Sequence, residues 1–340
     1  MRGIDLKRAG GLGIGLLLPL LCAGATAPAT SATTTLPVAA PVSYLKLPDP
    51  QRLDWPAQDW EGDQQPHTLS VIELNRAGFR YWGWYGLNHG RGIGLARSND
   101  LLHWSKYEGN PLWLNARWPS VLKGADPSHP ERLYFAITRD YDTPSSRIVL
   151  ASSEDGIHLS ELKDLVQPVT DERNQNPNLF HDPLTGRFFL TWYRGNDDNY
   201  FDIVSRNASA VQELDRAPDK LLMHSTQTVA APNLMYLAKG GPGGTGIYYL
   251  ATEIYPGRYS ETNKGVWQVK VFYAGRADGE FAPVAGNPVQ DGERACLFQH
   301  VFEQIYYGYQ CQLNDATDTW NMEVLIVPLT DQKPERKKPD

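Results

Sequence analysis

One phrase recurs along this chain, and it restricts the possible fold more than any other feature. Its clearest copy is Asn174–Tyr193, Asn-Gln-Asn-Pro-Asn-Leu-Phe-His-Asp-Pro-Leu-Thr-Gly-Arg-Phe-Phe-Leu-Thr-Trp-Tyr. It reads as a strand, a tight Asp-x-x-x-Gly turn and a second strand of aromatic and β-branched residues. Related phrases open at Thr68–Leu74 with Phe79–Tyr85 and Gly92–Ser98, and at Trp118–Leu122 with Arg132–Thr138 and Arg147–Ser152. The central copy continues at Tyr200–Ser205, and a fourth runs Ala231–Leu234, Gly246–Glu253 and Trp267–Ala274. The fifth is a hairpin over Ala295–Gln312, turning at Glu303 and Gln304, followed by Trp320–Pro328. Five all-strand copies of about fifty residues, with no helical periodicity, indicate radial repetition of small antiparallel sheets. The expected fold is all-β, a single five-bladed β-propeller over 63–330 with an N-terminal extended arm. In such a ring the first strand of each blade lines the central channel and ligands sit at one mouth, so the residues that open each copy are the ones to examine.

Composition narrows the partners. The formal charge of −7 argues against nucleic acid or an anionic membrane surface. Ten Trp and seventeen Tyr suit strands, and flat rings also match the apolar faces of pyranoses. Residues 1–32 read as a signal peptide: Lys7 and Arg8, then an apolar run from Gly10 to Leu21 too short for a stable membrane anchor, then small residues. Cys22 raises a lipoprotein anchor as the alternative, but Leu21 stands where a small residue is expected. Periplasmic or secreted localisation follows, with no membrane contact beyond export. Residues 33–62 read as a linker and extended arm, and 331–340 as a charged tail. Cys296 and Cys311 lie symmetrically about the 303–304 turn, so they are expected to face each other on paired strands as a disulfide, with two buried thiols as the alternative.

The phrases Ser98–Trp104 (Ser-Asn-Asp-Leu-Leu-His-Trp) and Asn176–Leu190 resemble the glycoside hydrolase family 43 group, the clan of five-bladed propellers that includes invertases and levansucrases. The resemblance covers residues 63 to 328 at the level of blade rhythm. It implies three carboxylates: a base opening blade one, an Asp in an Asp-Pro phrase opening blade three, and an acid Glu two residues before a proline opening blade four. This sequence departs from the pattern at each. Gln65 stands before Pro66 with Asp63 two residues earlier, Asn176 precedes Pro177, and Ala230 holds the Glu position before Ala231 and Pro232. Blade two reads Trp118-Pro119-Ser120 without its acid. In blade five, Phe298-Gln299-His300 resembles the group's Gly-His phrase, whose His lies beneath the sugar or beside a structural metal.

Amides keep the hydrogen-bonding capacity of carboxylates but do not move protons near neutral pH. The expected mouth is therefore lined by Gln65, Trp118, Asn174, Asn176, Gln227 and His300, with His67 behind them, which describes a sugar-binding site. Asp63 is the surviving candidate for base or nucleophile, against a plain loop carboxylate. Glu253, ending the second strand of blade four, is the candidate acid, against a surface ion pair. Asp100, Asp155, Asp182 and Asp278 sit in turn phrases where short acids bond nearby amides. Gly90-Arg91-Gly92-Ile93-Gly94 leads into a strand, so it is not a phosphate loop. The eight His show no zinc spacing, and no Ser-His-Asp set is evident. Asn207-Ala208-Ser209 has the form of a glycosylation triplet. No cofactor is expected, apart from a structural Ca²⁺ near His300 that the resemblance allows. The expected function is an exported, monomeric, carbohydrate-active protein, a diverged glycoside hydrolase acting on a polysaccharide or oligosaccharide. The alternatives are a non-catalytic glycan-binding propeller or a protein-interaction scaffold.

Overall fold

The computed structural model describes residues 49–53, 55–62, 66–87, 92–141, 143, 145–196, 199–238, 245–255, 267–289, 294–314 and 319–329. The expected signal peptide, the charged tail, Asp63 and Gln65 lie outside them. Strand β1 is Gln51–Arg52. Blade one is β2 (Pro66–Arg76), β3 (Phe79–Leu87), β4 (Gly92–Ser98) and β5 (Trp104–Lys106), with β6 (Trp113–Leu114) also pairing β4. Blade two is β7 (Ala116–Lys123), β8 (Leu133–Arg139), β9 (Arg147–Ser153) and β10 (Ser160–Val166). Blade three is β11 (Arg173–His181), β12 (Phe188–Asn196), β13 (Asn199–Ala208) and β14 (Lys220–His224). Blade four is β15 (Thr228–Leu237), β16 (Ile247–Tyr255), β17 (Gln268–Ala274) and β18 (Ala282–Pro283). Blade five is β19 (Arg294–Phe302), β20 (Ile305–Asn314) and β21 (Thr319–Pro328), completed by β1. The five-bladed β-propeller is the observed fold.

Each blade buries its second strand most deeply, because that strand pairs on both edges and packs on both faces. All nine residues of β16 are buried, and along β8 Leu133, Phe135 and Ile137 pack with Trp82 and Trp84 of blade one while Tyr134 and Ala136 pack with Leu179 and Trp192 of blade three. The glycines that open β4 serve packing: a Cβ on Gly94 would overlap the Tyr85 ring, and one on Gly92 would meet the Trp113 carbonyl at 2.6 Å. Asp100 and Asp155 hold congruent turns, as their phrases suggest. Asp100 Oδ1 accepts from Leu102 N and His103 N, and Asp155 Oδ1 from Ile157 N and His158 N. Burial would raise these carboxyls, but the amide and His hydrogen bonds outweigh it and hold both well below the usual range. Asp182 accepts from Leu184 N in the same manner. Asp278 does otherwise: its carboxylate meets Arg276 and Lys220.

The inner strands are fastened to one another by a repeated side-chain device. Val121 N–H donates to Ser70 Oγ (3.1 Å), Leu179 N–H to Ser120 Oγ (2.8 Å), Leu234 N–H to Asn178 Oδ1 (3.0 Å) and Gln299 N–H to Asn233 Oδ1 (2.9 Å). The first strands of blades one to four thus each accept from the first strand of the next blade.

The ring closes between blades five and one by a different route, through the arm. The described part of 33–62, expected as a linker and extended arm, packs on the propeller as a structural element. β1 pairs β21 with Gln51 opposite Val324, Leu53 N–H donates to the Met322 carbonyl, and Trp55 and Trp60 lie 5.2 and 6.1 Å from the Tyr85 ring. Glu61, fully buried, accepts from Lys106 Nζ (2.7 Å), Tyr85 Oη (2.7 Å) and Gln58 N (2.8 Å). Burial lowers the Lys106 pKa while the Glu61 carboxylate opposes the shift.

Cys296 and Cys311 are direct partners in the β19–β20 register, and the hairpin turns on Glu303 and Gln304, both at positive φ. The symmetric placement of the pair is therefore observed, while no disulfide is present among the described residues. Glu61→Gln would strand the Lys106 charge in the core, and removing one partner of a buried pair costs about 3–5 kcal/mol. Urea unfolding followed by Trp fluorescence should show that loss, and a Glu61→Met/Lys106→Met double variant should lose less.

Candidate functional site

The first strands of blades two, three and four carry the same local irregularity. Trp118, Asn176 and Ala231 each precede a proline and adopt positive φ, at 51°, 50° and 44°. At each place two residues oppose one on the neighbouring strand, so the pairing register jumps between Arg117 and Ser120, Gln175 and Asn178, and Ala230 and Asn233. These are β-bulges, which bend a strand and re-aim its side chains. Left-handed backbone is unfavourable for non-glycine residues by about 1–2 kcal/mol, and such strain recurs at functional sites. Three congruent instances at one end of the channel mark that end as the mouth.

Blade one breaks the pattern. Its bulge falls at His67, since Pro66 opposes Leu87 and Thr68 opposes Gly86. Pro119 stands one residue before its fastening Ser120, whereas Pro66 stands four before Ser70. Thr68 and Leu69 therefore occupy the places of Trp118 and Pro119, and the Gln65–Pro66 phrase is not their counterpart. Sequence alone aligned the prolines; the hydrogen bonds between blades set the true register.

A channel cavity of about 430 Å³ is lined by all five first strands, including Trp118, Asn176, Ala231 and His300. Trp118 contributes an aromatic rim: its ring meets Tyr141 edge-on at 5.0 Å and Tyr193 at 6.3 Å, and Arg117 Cζ lies 4.3 Å from its centroid. The Trp118 indole N–H points to His67 Nδ1 at 3.4 Å. Behind the rim, Tyr193 Oη donates to Gln175 Oε1, and Gln175 Nε2 donates to Ser146 Oγ (3.0 Å). Asn176 is 5 % exposed and its Oδ1 has no hydrogen-bond partner among the described residues. It is an unmatched, buried acceptor on the channel wall.

His300 lies deeper. Counted from the shared donors Leu179 and Gln299, it stands four positions further along its strand than the residue matching Asn176, about 13 Å at strand rise. Its ring stacks on Phe302 at 6.0 Å and its Nε2 is 3.4 Å from the Leu69 carbonyl. Burial depresses its pKa to about 4, only partly offset by that carbonyl, so the imidazole is neutral at physiological pH.

Two expected mouth residues are elsewhere. Asn174 is fully buried with its amide committed to structure: Trp192 Nε1 donates to its Oδ1 (2.8 Å) and its Nδ2 donates to Glu172 Oε1 (2.9 Å). Gln227 lines a separate recess of about 420 Å³ between the outer strands of blades three and four, with Met223, Lys270, Phe272 and Phe281. Glu253 is not a surface ion pair. It is 5 % exposed on β16, directly opposite Ala230, and burial raises its pKa well above the carboxylate range against the lowering effect of Arg117. The one carboxylate on the cavity wall among the described residues is Glu73, towards the far end, where it accepts from Arg80 Nε (2.9 Å). Among the described residues no group of His, Cys, Asp or Glu is arranged to hold a metal ion. The rim residues Arg117 and Tyr141 sit beside the repeated phrases, and Tyr193 closes the central phrase on a second strand, where its residue type reads as ordinary strand composition.

These features define a β-propeller with a bulged, amide- and aromatic-lined channel mouth. No protein-family model matches the sequence, and no curated protein matches it either. Solved structures do. A thermostable family-43 glycoside hydrolase superposes with TM-score 0.57 at 14% identity, covering 78% of this chain and 89% of that one. An N-acetylgalactosamine deacetylase from F. plautii, in complex with blood group B trisaccharide, gives 0.59 at 12%, covering 83% and 95%. The α-L-arabinanase of Cellvibrio cellulosa, complexed with arabinohexaose, gives 0.54 at 10%, covering 77% and 92%. At these identities the likeness is one of fold.

The neutral His300 has a measurable consequence. Its pKa falls on folding, so the stability it confers is complete above the unfolded value near 6.5 and is lost as pH falls towards 4. The loss amounts to about 3 kcal/mol. His300→Gln should flatten the pH dependence of the urea midpoint between pH 7 and 4.

Proposed function

We propose that this protein is an exported, carbohydrate-active propeller that takes a glycan at the bulged mouth of its channel. The observation that carries the reading is Asn176: a strained, nearly sealed side chain whose acceptor oxygen is unmatched beside an aromatic rim. A buried polar atom without a partner costs about 1–3 kcal/mol, and a sugar hydroxyl supplies the missing donor while Trp118 offers its ring to an apolar sugar face. The glycan ligands of the fold neighbours are consistent with such a site. An array of plant, microbial and host glycans should give specific binding, and Asn176→Ala should weaken it about 10–100-fold, the equivalent of one hydrogen bond. Absence of any binding by the wild type would end the reading.

Hydrolysis is the second reading, that of a diverged glycoside hydrolase with Asp63 and Glu253 as its acids. Glu253 favours it, being a buried carboxyl with a raised pKa, the property required of a general acid. Product detection on the glycans that bind, with Asp63→Ala as control, separates hydrolase from binding protein. The leader-like residues 1–32 support export to a periplasm or the exterior, where oxidation of Cys296 and Cys311 to a disulfide is the natural outcome of their register. Thiol titration of the secreted protein tests it. The site is read as acting without a cofactor on a monomeric protein; EDTA should leave glycan binding unchanged, and light scattering should give the mass of one chain.

A further inference from the structure

We propose that Glu253 is itself a ligand-contacting residue of the mouth, presenting its carboxyl to the glycan from the second strand of blade four across the two alanines of the first. The inference rests on the glycan-binding reading above and deepens it.

The register supplies the geometry. Glu253 is the direct partner of Ala230, and directly opposed residues on antiparallel strands project to the same face with Cβ atoms about 4.5–5.5 Å apart. Ala230 and the cavity-lining Ala231 carry only methyl groups, so no larger side chain at these positions stands between that carboxyl and the mouth. On its other edge Glu253 opposes Val269, which offers no polar atom from its side chain. The neighbouring Thr252 hydroxyl is already used, donating to the Ala230 carbonyl at 2.6 Å. Glu253 Oε1 is left with no hydrogen-bond partner among the described residues.

The one charged group acting on Glu253 among the described residues is Arg117. Arg117 belongs to blade two and Glu253 to blade four, so the two are not on adjacent blades. Arg117 sits on the aromatic rim of the mouth, over Trp118 and Tyr141, which places the acid on the side of the blade that faces this rim. A buried acid surrounded by alanine and valine destabilises a fold. A carboxyl with a raised pKa and an unmatched oxygen, one strand behind the cavity-lining first strand of blade four, is a candidate functional group.

Burial keeps the carboxyl protonated through the acidic range, so it meets a glycan oxygen as an O–H donor. Ionisation at higher pH removes that donor. The test is isothermal titration of the array's strongest wild-type ligand at pH 5 and pH 9, with Glu253→Gln and Glu253→Ala. Wild-type affinity should fall about 10-fold or more over this range. Glu253→Gln, which keeps a donor at both pH values, should bind with a flat profile, and Glu253→Ala should bind weakly at both. Thermal unfolding provides an independent check on the folded variants. A raised acid pKa means stability is lost as pH rises through it, so Glu253→Gln should unfold at a higher temperature than wild type at pH 9. Wild-type binding that Glu253→Ala does not alter, or a Glu253→Gln profile that still follows pH, overturns this inference and leaves the glycan site standing. No wild-type binding at pH 5 overturns both.

Discussion

The structure depends on a side chain doing the work of a strand. First strands of neighbouring blades do not pair with one another as sheets, yet each must be held at a fixed rotation about the channel. Ser70, Ser120, Asn178 and Asn233 do this by accepting a backbone N–H from the next first strand. Each such bond has a modest net value, about 1 kcal/mol. Its main effect is to satisfy a buried amide that would otherwise be orphaned and to fix the register of one blade against the next. The bulge comes immediately before the fastening residue in blades two to four, so the position of Trp118, Asn176 and Ala231 at the mouth follows from the same bond. Site and scaffold share one determinant.

Much of this architecture is legible in the sequence, because the inner three strands of each blade carry long buried runs. The expected Gly92–Ser98 strand coincides with β4, and the cysteine hairpin turns on the two residues its symmetry requires. The shortest fourth strands are not legible. β18 and β1 have two residues each and β5 has three, too short for any period to register. β1 was hidden further by standing at the other end of the chain from its partner. At the site, Trp118, Asn176 and Ala231 were visible as pre-proline residues. Asn174, two positions from Asn176, looks equivalent in sequence, but its amide holds the Trp192 indole inside the blade. Gln227 stands one residue before its strand, on a segment that bends to a different recess. Nothing in residue type separates an amide that binds a ligand from one that braces a tryptophan; only the surrounding packing does.

The chemistry of the mouth follows from what each group can donate or accept. Asn176 offers an acceptor, Trp118 an apolar face and Glu253 a proton held by burial, while His300 below them stays uncharged. On the proposed reading, such a set suits hydroxyl-rich neutral molecules better than a densely charged phosphate.

The pairing of Gln51 with Val324 joins the opening of the chain to its close. A contact of such span carries a large loop-closure cost and is of the kind that forms slowly. Once made, it covers the outer edge of β21 with β1, and the Glu61–Lys106 pair ties the same arm to blade one. Kinetic stability would then be governed by the rate at which this seam reopens.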